Sequence, residues 1–283
     1  MVHKVMSLAV NNSASLHKKL LLPFHGSLDW QHMLNFYRMR AVADMELITD
    51  DDYQRSVTIE NGKGWFRVAK HDEQHLSLTF YLDDPALEQT MLAQIRRMFD
   101  LDADMPVIEQ HLCTNGLADL VCSGVRIPGV WNIWEAGIRA ILGQQISVKA
   151  AITQLNTFVA ELGERENSQD DVQGICYFPT PAQVAASDLS FLRMPGRRKE
   201  TIQRFAQYMI SHFDEHPRHW LALKGIGPWT VNYAKIRGLS EPDCFLATDL
   251  VVKKAIATRA DFSADALSPW GSYATFHCWN SMS

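Results

Sequence analysis

One carboxylate and one pair of glycines are the residues of this chain whose types and spacing best suit chemistry. Asp249 stands in the segment FLATDLVVKKAI, directly before an apolar run with helical spacing, and Gly225 and Gly227 lie in the segment LALKGIGPWT. An aspartate in such a position is an efficient helix N-cap. Because helix N–H groups bond to its charged form, the same aspartate can also face a developing positive charge. The pattern alone leaves both roles of Asp249 open.

The glycine pair is predicted to form a hairpin between two helices. The first helix is predicted to end near Leu223, and the second to begin with Pro228, whose fixed φ suits a first helical position. Glycines lack the Cβ atoms that would hold another molecule away from the backbone. Backbone N–H groups beside a helix N-terminus then form an anion site that suits a phosphodiester. A turn that only connects two packed helices is the simpler alternative.

Composition narrows the classes of protein to which these residues can belong. With 283 residues, 47% of them hydrophobic and 21% charged, the chain can bury a full core and divide into two or three domains. Five scattered cysteines without a C-x-x-C pair argue against disulfide frameworks, zinc sites and iron–sulfur clusters. The net charge is −5, so nucleic acid would be bound by a local patch or by backbone groups. The apolar runs near the start are too short for a membrane span or a signal peptide, so we expect a cytoplasmic protein.

The elements that must position these residues change in type near residue 105. Before it, alternating polar and apolar residues predict antiparallel strands, including a hairpin at Asn61-Gly62 that leads into GWFRVAK and then HLSLTFYL. Helical spacing predicts helices over residues 30–42 and 90–101. After residue 130 we predict helices over 133–147, 150–163, 180–187, 196–213, 228–239 and from about 249, with a polar loop over 166–174.

These patterns predict an α+β protein, in which an antiparallel sheet domain precedes a helical region. The predicted division has an N-terminal tail over residues 1–16, the antiparallel α+β domain over residues 17–105 and the helical region over residues 106–283. Within the helical region, one lobe covers about residues 132–241, and residues 106–131 and 242–283 form the other.

Several segments, taken in order, resemble one family. GIGPWTVNYAKIRG followed by FLATDLVVKKAI resembles the helix–hairpin–helix DNA glycosylase superfamily, in which the aspartate is catalytic. WQHMLNFYRMRAV, WEAGIRAILGQQISVKAA and PWGSYATFHCW are similar to their counterparts in 3-methyladenine DNA glycosylase II, the AlkA type. The resemblance covers roughly residues 17–283 and implies a helix–hairpin–helix core of two helical lobes.

The resemblance implies a reaction and a substrate. The chain would flip an alkylated, cationic purine such as 3-methyladenine out of double-stranded DNA and hydrolyse its glycosidic bond, which initiates base excision repair. Asp249 would be the catalytic carboxylate. Trp229 occupies the position at which relatives with lyase activity carry a lysine, and an indole forms no Schiff base, so the enzyme would be monofunctional. It would need no cofactor and no membrane, and it would act as a monomer, associated with the nucleoid in a bacterium.

The resemblance also assigns residues around the flipped base. The base pocket would be lined by Phe36, Trp229, Tyr233, Trp279 and Leu250. Leu250 stands where relatives carry an aromatic residue, and Gln145 stands where the nearest relatives carry a leucine wedge that fills the gap left in the duplex. These two departures leave the substrate range open.

The hairpin would bind the DNA backbone. Contacts are implied for Lys224, Gly225, Ile226 and Gly227, with Lys224 standing where proline is common. The backbone carbonyls of Leu221, Leu223 and Ile226 would hold a structural Na⁺ or K⁺. The cationic stretch GRRKETIQR either forms a solvated face or approaches phosphates beside the hairpin.

The chemistry of the lesion predicts a preference among bases. Aromatic faces attract a cation by roughly 0.5–2 kcal/mol, which favours N3- or N7-methylated purines. We see no second carboxylate or histidine placed as a general acid for neutral bases, so hypoxanthine should be released slowly.

Three other functions remain open. The chain could be a non-catalytic helix–hairpin–helix subunit that only holds DNA, a monofunctional glycosylase for other damaged purines such as oxidised ones, or a metabolic enzyme in which the glycines form a structural turn. Asp249 and the aromatic set argue against the first, and the last has no nucleotide loop, metal cluster or nucleophile triad.

Overall fold

The computed structural model describes residues 16–166, 175–257, 259 and 262–281. The tail predicted over residues 1–16 lies outside the described residues except for Leu16, which already belongs to the first strand. Of the polar loop predicted over residues 166–174, only Glu166 is among the described residues. None of the helices within these ranges is long and apolar enough to cross a membrane.

Five antiparallel strands form the sheet of the N-terminal region. They are β1 (Leu16–Pro23), β2 (Glu46–Ile48), β3 (Asp52–Ile59), β4 (Gly62–Lys70) and β5 (His75–Leu82), in the order β1-β5-β4-β3-β2. The predicted hairpin joins β3 to β4, where Ile59 pairs with Gly62. Alternate residues of β5 are buried, as its sequence pattern predicts. Two helices, α1 (Trp30–Arg38) and α2 (Glu88–Met98), bury apolar side chains in one cluster with the sheet.

Short helices make up most of the chain after the sheet. They are α3 (Met105–Leu112), α4 (Ile133–Gly143), α5 (Val148–Leu162), α6 (Pro181–Ala185), α7 (Gly196–Ser211), α8 (Pro228–Leu239), α9 (Leu250–Ile256) and α10 (Gly271–Asn280). A two-stranded ribbon, β6 (Arg165–Glu166) with β7 (Ile175–Cys176), follows α5. The predicted α+β class is therefore confirmed.

Two predicted helices differ from the observed ones at positions that matter for the site. The helix predicted over residues 133–147 ends at Gly143, because Gln145 adopts a left-handed φ of 59° before Ser147 caps α5. The helix predicted to end near Leu223 is a 3₁₀ helix, Pro217–Ala222. Short connectors of this length commonly take the tighter 3₁₀ geometry.

Three clusters of buried apolar side chains form the interior. One lies between the sheet and the helices α1 and α2, a second surrounds α4, α7 and α8, and a third joins α3, α9 and α10. Phe36 belongs to the third cluster although α1 otherwise packs against the sheet. Helix α1 thus packs against both the sheet and the helical region. The domain boundaries given above stay a prediction.

A network of four buried charged side chains also joins the sheet to α4. The Glu135 carboxylate accepts hydrogen bonds from Arg55 Nη2 at 2.9 Å and from Arg139 Nε at 2.9 Å. Arg139 donates further to Glu46 Oε2 at 2.9 Å and to the backbone carbonyl of Arg40 at 2.9 Å. Burial opposes ionisation of Glu135, but the two arginines outweigh it and lower its pKa to about 2. The network therefore links β2, β3, α4 and the segment after α1.

Replacing Glu135 by glutamine should destabilise the protein strongly. Glu135→Gln leaves buried arginines with too little negative charge, and breaking a buried pair in this way costs about 3–5 kcal/mol in the free energy of unfolding. The pKa of Glu135 in the folded state lies below its ordinary value of 4.5, so this stabilisation is present above about pH 4.5 and is lost as the pH falls towards 2. Urea unfolding followed by tryptophan fluorescence at pH 7 and at pH 3 measures both effects.

An exposed ion pair provides the control for this substitution. Glu73→Gln removes the carboxylate that pairs with Lys70 at 3.0 Å on the surface. Such pairs contribute about 0–1 kcal/mol, so the control should unfold almost as the wild type does. A loss in Glu135→Gln no larger than in Glu73→Gln would show that the network does not stabilise the fold.

Candidate active site

A cavity of about 620 Å³ lies where α1, the turn between α4 and α5, α8, α9 and α10 meet. Its wall includes Asp249 together with four of the predicted pocket residues, which are Phe36, Trp229, Tyr233 and Trp279. Side chains from both ends of the chain therefore come together in one place. Since α1 supplies part of the wall, the N-terminal region contributes to the cavity directly.

Asp249 is both the N-cap of α9 and a side chain of the cavity. Its Oδ1 accepts the backbone N–H groups of Val251 at 2.9 Å and Val252 at 3.2 Å. The indole N–H of Trp279 donates to Oδ1 at 3.2 Å, and that of Trp229 approaches Oδ2 at 3.4 Å. These donors fix the direction of both carboxylate oxygens. The two roles that the sequence leaves open for Asp249 are compatible in the structure.

The four aromatic side chains form two stacked pairs. Trp229 and Tyr233 have ring centroids 5.3 Å apart at an interplanar angle of 26°, and Phe36 and Trp279 have centroids 6.5 Å apart at 18°. Each pair contains one tryptophan that bonds to Asp249. The sequence suggests the aromatic faces, but it gives no sign of the indole N–H bonds, because their geometry depends on how α8, α9 and α10 pack.

Leu250 does not line the cavity, which corrects its assignment to the base pocket. Its side chain is 75% exposed, whereas its neighbours Asp249 and Val251 belong to the wall. Leu250 is the first residue of α9, and successive side chains of a helix point about 100° apart. Val251, one position further along α9, faces the cavity, so Leu250 faces outwards.

Two adjacent glutamines after α4 have different surroundings. Gln145 is exposed at its left-handed φ, between cavity residues of the α4–α5 turn. Gln144 instead donates through Nε2 to the backbone carbonyl of Gly225 and to Thr230 Oγ1, both at 3.1 Å. Gln144 thus ties the turn to the hairpin and leaves Gln145 at the surface. The sequence does not reveal this bridge, since a helical pattern says nothing about contacts with distant loops.

Positions 225 and 227 of the hairpin are glycine for different reasons. Gly225 has a φ of 97°, and a Cβ added there would lie 2.1 Å from Thr201 Oγ1, so the fold itself requires glycine. Gly227 has a φ of −113°, and an added Cβ would meet nothing within 4 Å. Packing within the protein therefore does not explain why residue 227 is a glycine. It caps α8 without a side-chain hydrogen bond, which leaves the first N–H groups of that helix to an outside acceptor.

The hairpin is anchored by a buried side chain and carries basic residues on its exposed side. Ile226 is buried against the α4–α7–α8 cluster, while Lys224 is exposed. The carbonyl of Lys224 accepts a hydrogen bond from Arg204 Nη1 of α7 at 2.7 Å. The first turn of α7 carries Arg197, Arg198 and Lys199, and none of these three forms an ion pair with a described residue. The basic stretch GRRKETIQR therefore lies beside the hairpin.

The predicted cation ligands lie in the segment that leads into the hairpin. Leu221 is the penultimate residue of the 3₁₀ helix, and the carbonyl of Leu223 accepts the N–H of Ile226 at 3.0 Å. A carbonyl oxygen has a second lone pair, so this bond leaves it able to bind a cation. Across the described ranges, no group of three or more histidine, cysteine and acidic side chains is arranged to hold a metal. A hairpin cation would therefore rely on backbone oxygens.

Comparison with known proteins gives one family model and two named relatives that match this chain. Residues 19–132 match the family model described as the AlkA N-terminal domain. The chain is 34% identical to DNA-3-methyladenine glycosylase 2 of Escherichia coli over 272 residues, which is 89% of this chain and 93% of that protein. It is 29% identical to a Mycobacterium tuberculosis protein named "Probable bifunctional transcriptional activator/DNA repair enzyme AlkA", over 93% of this chain but 57% of that longer protein.

A solved structure shares the fold. The 3-methyladenine DNA glycosylase from Archaeoglobus fulgidus superposes with a TM-score of 0.75 over 92% of this chain and 97% of its own, at 15% sequence identity. At that identity the likeness concerns the fold alone. The identity to the Escherichia coli protein extends over nearly the whole of both chains. This chain therefore belongs to the family of DNA-3-methyladenine glycosylase 2, the AlkA type.

Proposed function

We propose that this protein is a monofunctional DNA glycosylase that releases alkylated, cationic purines such as 3-methyladenine from double-stranded DNA by hydrolysis, and so initiates base excision repair. The observation that carries the proposal is Asp249, whose carboxylate is fixed by backbone and indole N–H groups at the wall of an aromatic cavity. A protein that only holds DNA has no use for this arrangement. The name of the Escherichia coli relative supplies the substrate class.

The cavity suits a base that has left the helix. An enzyme that acts on a base in a duplex must extrude it, at a cost of a few kcal/mol that is lower for a poorly paired lesion. Trp229, Tyr233 and Trp279 offer ring faces within the cavity, whereas the Phe36 ring is covered by the guanidinium of Arg40 at 3.7 Å. Such faces attract a cationic purine by roughly 0.5–2 kcal/mol. Gln145, exposed at the edge of the cavity, would fill the gap left in the duplex.

Asp249 acts on the sugar. When the glycosidic bond breaks, its electron pair leaves with the base nitrogen and the sugar becomes an oxocarbenium ion. A carboxylate about 4 Å away stabilises that charge by about 4 kcal/mol at an effective dielectric constant near 20, which corresponds to roughly a thousandfold in rate. Water then adds to the sugar carbon and gives up a proton to Asp249 or to solvent. Trp229 carries no amine, so no Schiff base forms.

The hairpin and the start of α7 hold the DNA backbone. Gly227 opens the approach to the N–H groups at the start of α8, and Lys224 and Arg197 add positive charge beside them. This local patch explains how a chain of net charge −5 binds a polyanion. A Na⁺ or K⁺ on the carbonyls of Leu221, Leu223 and Ile226 would stiffen the hairpin without taking part in the reaction.

Phe36, Trp229, Tyr233, Asp249 and Trp279 form the proposed site without a residue of a second copy, and we propose that the enzyme acts as a monomer. Because its proposed substrate is chromosomal DNA, we propose that it acts in the cytoplasm, associated with the nucleoid if the cell is bacterial.

Asp249→Asn should abolish most base release without loss of DNA binding. Asparagine keeps the size of the side chain but removes its charge, so we expect the single-turnover rate on duplexes carrying 3-methyladenine or 7-methylguanine to fall by about a thousandfold. Glu73→Gln, an exposed carboxylate outside the cavity, is the control and should react at the wild-type rate. No release by the wild type, with binding intact, would favour a binding subunit or another lesion.

Gly227→Ala should weaken DNA binding without affecting the fold. The added methyl group enters open space, so the free energy of unfolding should change by less than about 0.5 kcal/mol. The same methyl holds a phosphate away from the backbone, and we expect about tenfold weaker affinity, equivalent to about 1.4 kcal/mol. Fluorescence anisotropy with a labelled duplex at a fixed salt concentration measures this affinity.

Gly225→Ala is the matched comparison for that variant. Its positive φ and its contact with Thr201 should lower the free energy of unfolding by about 1–3 kcal/mol. If Gly227→Ala bound DNA as tightly as the wild type, the backbone of the hairpin would not be the contact surface.

Cationic lesions should be released faster than neutral ones. His32 lines the cavity, but burial lowers the pKa of its imidazole, so it is neutral at pH 7 and a poor proton donor to a leaving base. A methylated purine that already carries a positive charge needs no such donor. Single-turnover rates on 7-methylguanine and hypoxanthine in the same duplex test this expectation, and comparable rates would refute it.

A further inference from the structure

Three uncharged polar side chains from α1 and α10 face a cavity whose wall is otherwise largely apolar. His32 and Asn35 lie one turn apart on α1, and Asn280 is the last residue of α10. A pocket with few polar groups uses them to orient its ligand and to distinguish it from similar molecules. The hydrogen-bonding groups that these side chains still have available therefore bear on which bases the cavity accepts.

Asn280 keeps both halves of its amide available. Its side chain is half-buried and forms no hydrogen bond with any residue that the structure describes. Asn35 differs, because its Oδ1 already accepts a hydrogen bond from Arg38 Nη1. The neutral ring of His32 has one donor and one acceptor, but on separate nitrogens. Of the three, Asn280 is therefore the side chain that presents a free donor directly beside a free acceptor.

The position of Asn280 is tied to that of Asp249. It follows Trp279, whose indole N–H donates to Asp249 Oδ1 at 3.2 Å and whose ring stacks on Phe36 of α1. The rest of α10, from Gly271 to Cys278, is buried and holds the helix in place. A base whose sugar faces Asp249 therefore lies in the cavity into which the amide of Asn280 projects.

We propose that Asn280 pairs with the N6/N7 edge of an extruded adenine and so raises the release of alkylated adenines relative to alkylated guanines. The inference rests on the proposed function. Adenine presents its N6 amino group beside the N7 acceptor, and an asparagine amide forms two hydrogen bonds with these atoms. The Nδ2 group of Asn280 donates to N7, and Oδ1 accepts from N6. In 3-methyladenine the methyl group lies on the other side of the purine and leaves this edge free.

A 7-methylguanine base cannot form the same pair. Its methyl group occupies N7, and its O6 accepts hydrogen bonds but donates none, so this edge can take one bond from Nδ2 at most. Both lesions are cationic, so aromatic faces attract both of them. The hydrogen-bonding edge therefore distinguishes two lesions that charge does not distinguish.

Asn280→Leu tests the proposal on DNA methylated with dimethyl sulfate, which carries both lesions. Leucine has nearly the shape of asparagine but forms no hydrogen bond. We expect the ratio of the initial rates of release, 3-methyladenine over 7-methylguanine, to fall by about tenfold, because one bidentate pair discriminates between bases to about this extent. Both bases come from one reaction, so a defect in folding or in DNA binding would lower both rates and leave the ratio unchanged. Chromatography of the released bases measures the ratio.

Two further variants complete the test. Asn280→Gln keeps the amide on a longer side chain and should restore part of the ratio. Gln31→Ala is the matched control, because the exposed amide of Gln31 in α1 bonds to the Asp50 carbonyl and does not line the cavity. It should leave the ratio at the wild-type value.

The outcomes separate this proposal from the proposed function. An unchanged ratio in Asn280→Leu, whether both rates fall or neither does, would overturn the role of Asn280, because the side chain would then only support the cavity or contact an edge that both lesions share. A wild type that releases neither base from methylated DNA would overturn the glycosylase function, and the role of Asn280 with it.

Discussion

The cavity depends on the buried network of Glu135, Arg55, Arg139 and Glu46. A cavity wall made from two regions of a chain keeps its shape only if the regions cannot slide, and apolar packing alone is not directional. Hydrogen-bonded ion pairs fix direction, and Arg139 extends this order to the backbone carbonyl of Arg40. Such a network is not more stabilising than apolar packing of the same volume. Its contribution here is the fixed position of α1 against α4, and hence of Phe36 and Arg40 against the helical wall.

The proposed reaction depends on one fixed charge, the carboxylate of Asp249. Backbone and indole N–H groups hold this carboxylate at the wall of the cavity. Fixed charges that match the movement of an electron pair lower a barrier without any rearrangement during the reaction. The indole groups of Trp229 and Trp279 are then more than stacking surfaces, because they orient the carboxylate that is proposed to face the sugar.

The parts of this structure that local pattern determines could be predicted from the sequence. The alternation of β5, the hairpin at Asn61-Gly62 and the capping role of Asp249 follow from neighbouring residues, and the structure contains all three. Contacts between distant elements could not be predicted. The bond from Gln144 to Gly225, the indole bonds to Asp249 and the outward direction of Leu250 arise from packing and helix phase, which the pattern of polar and apolar residues does not encode.

The hairpin shows why a motif of two glycines carries less information than it suggests. Both positions read alike in the sequence, yet Gly225 is needed because its φ is positive and Thr201 is close, while Gly227 has room for a side chain. A residue that the free protein does not constrain is one whose identity an absent molecule explains best. The open space at Gly227 therefore supports the proposed phosphate contact at the hairpin, whereas Gly225 is explained by the fold alone.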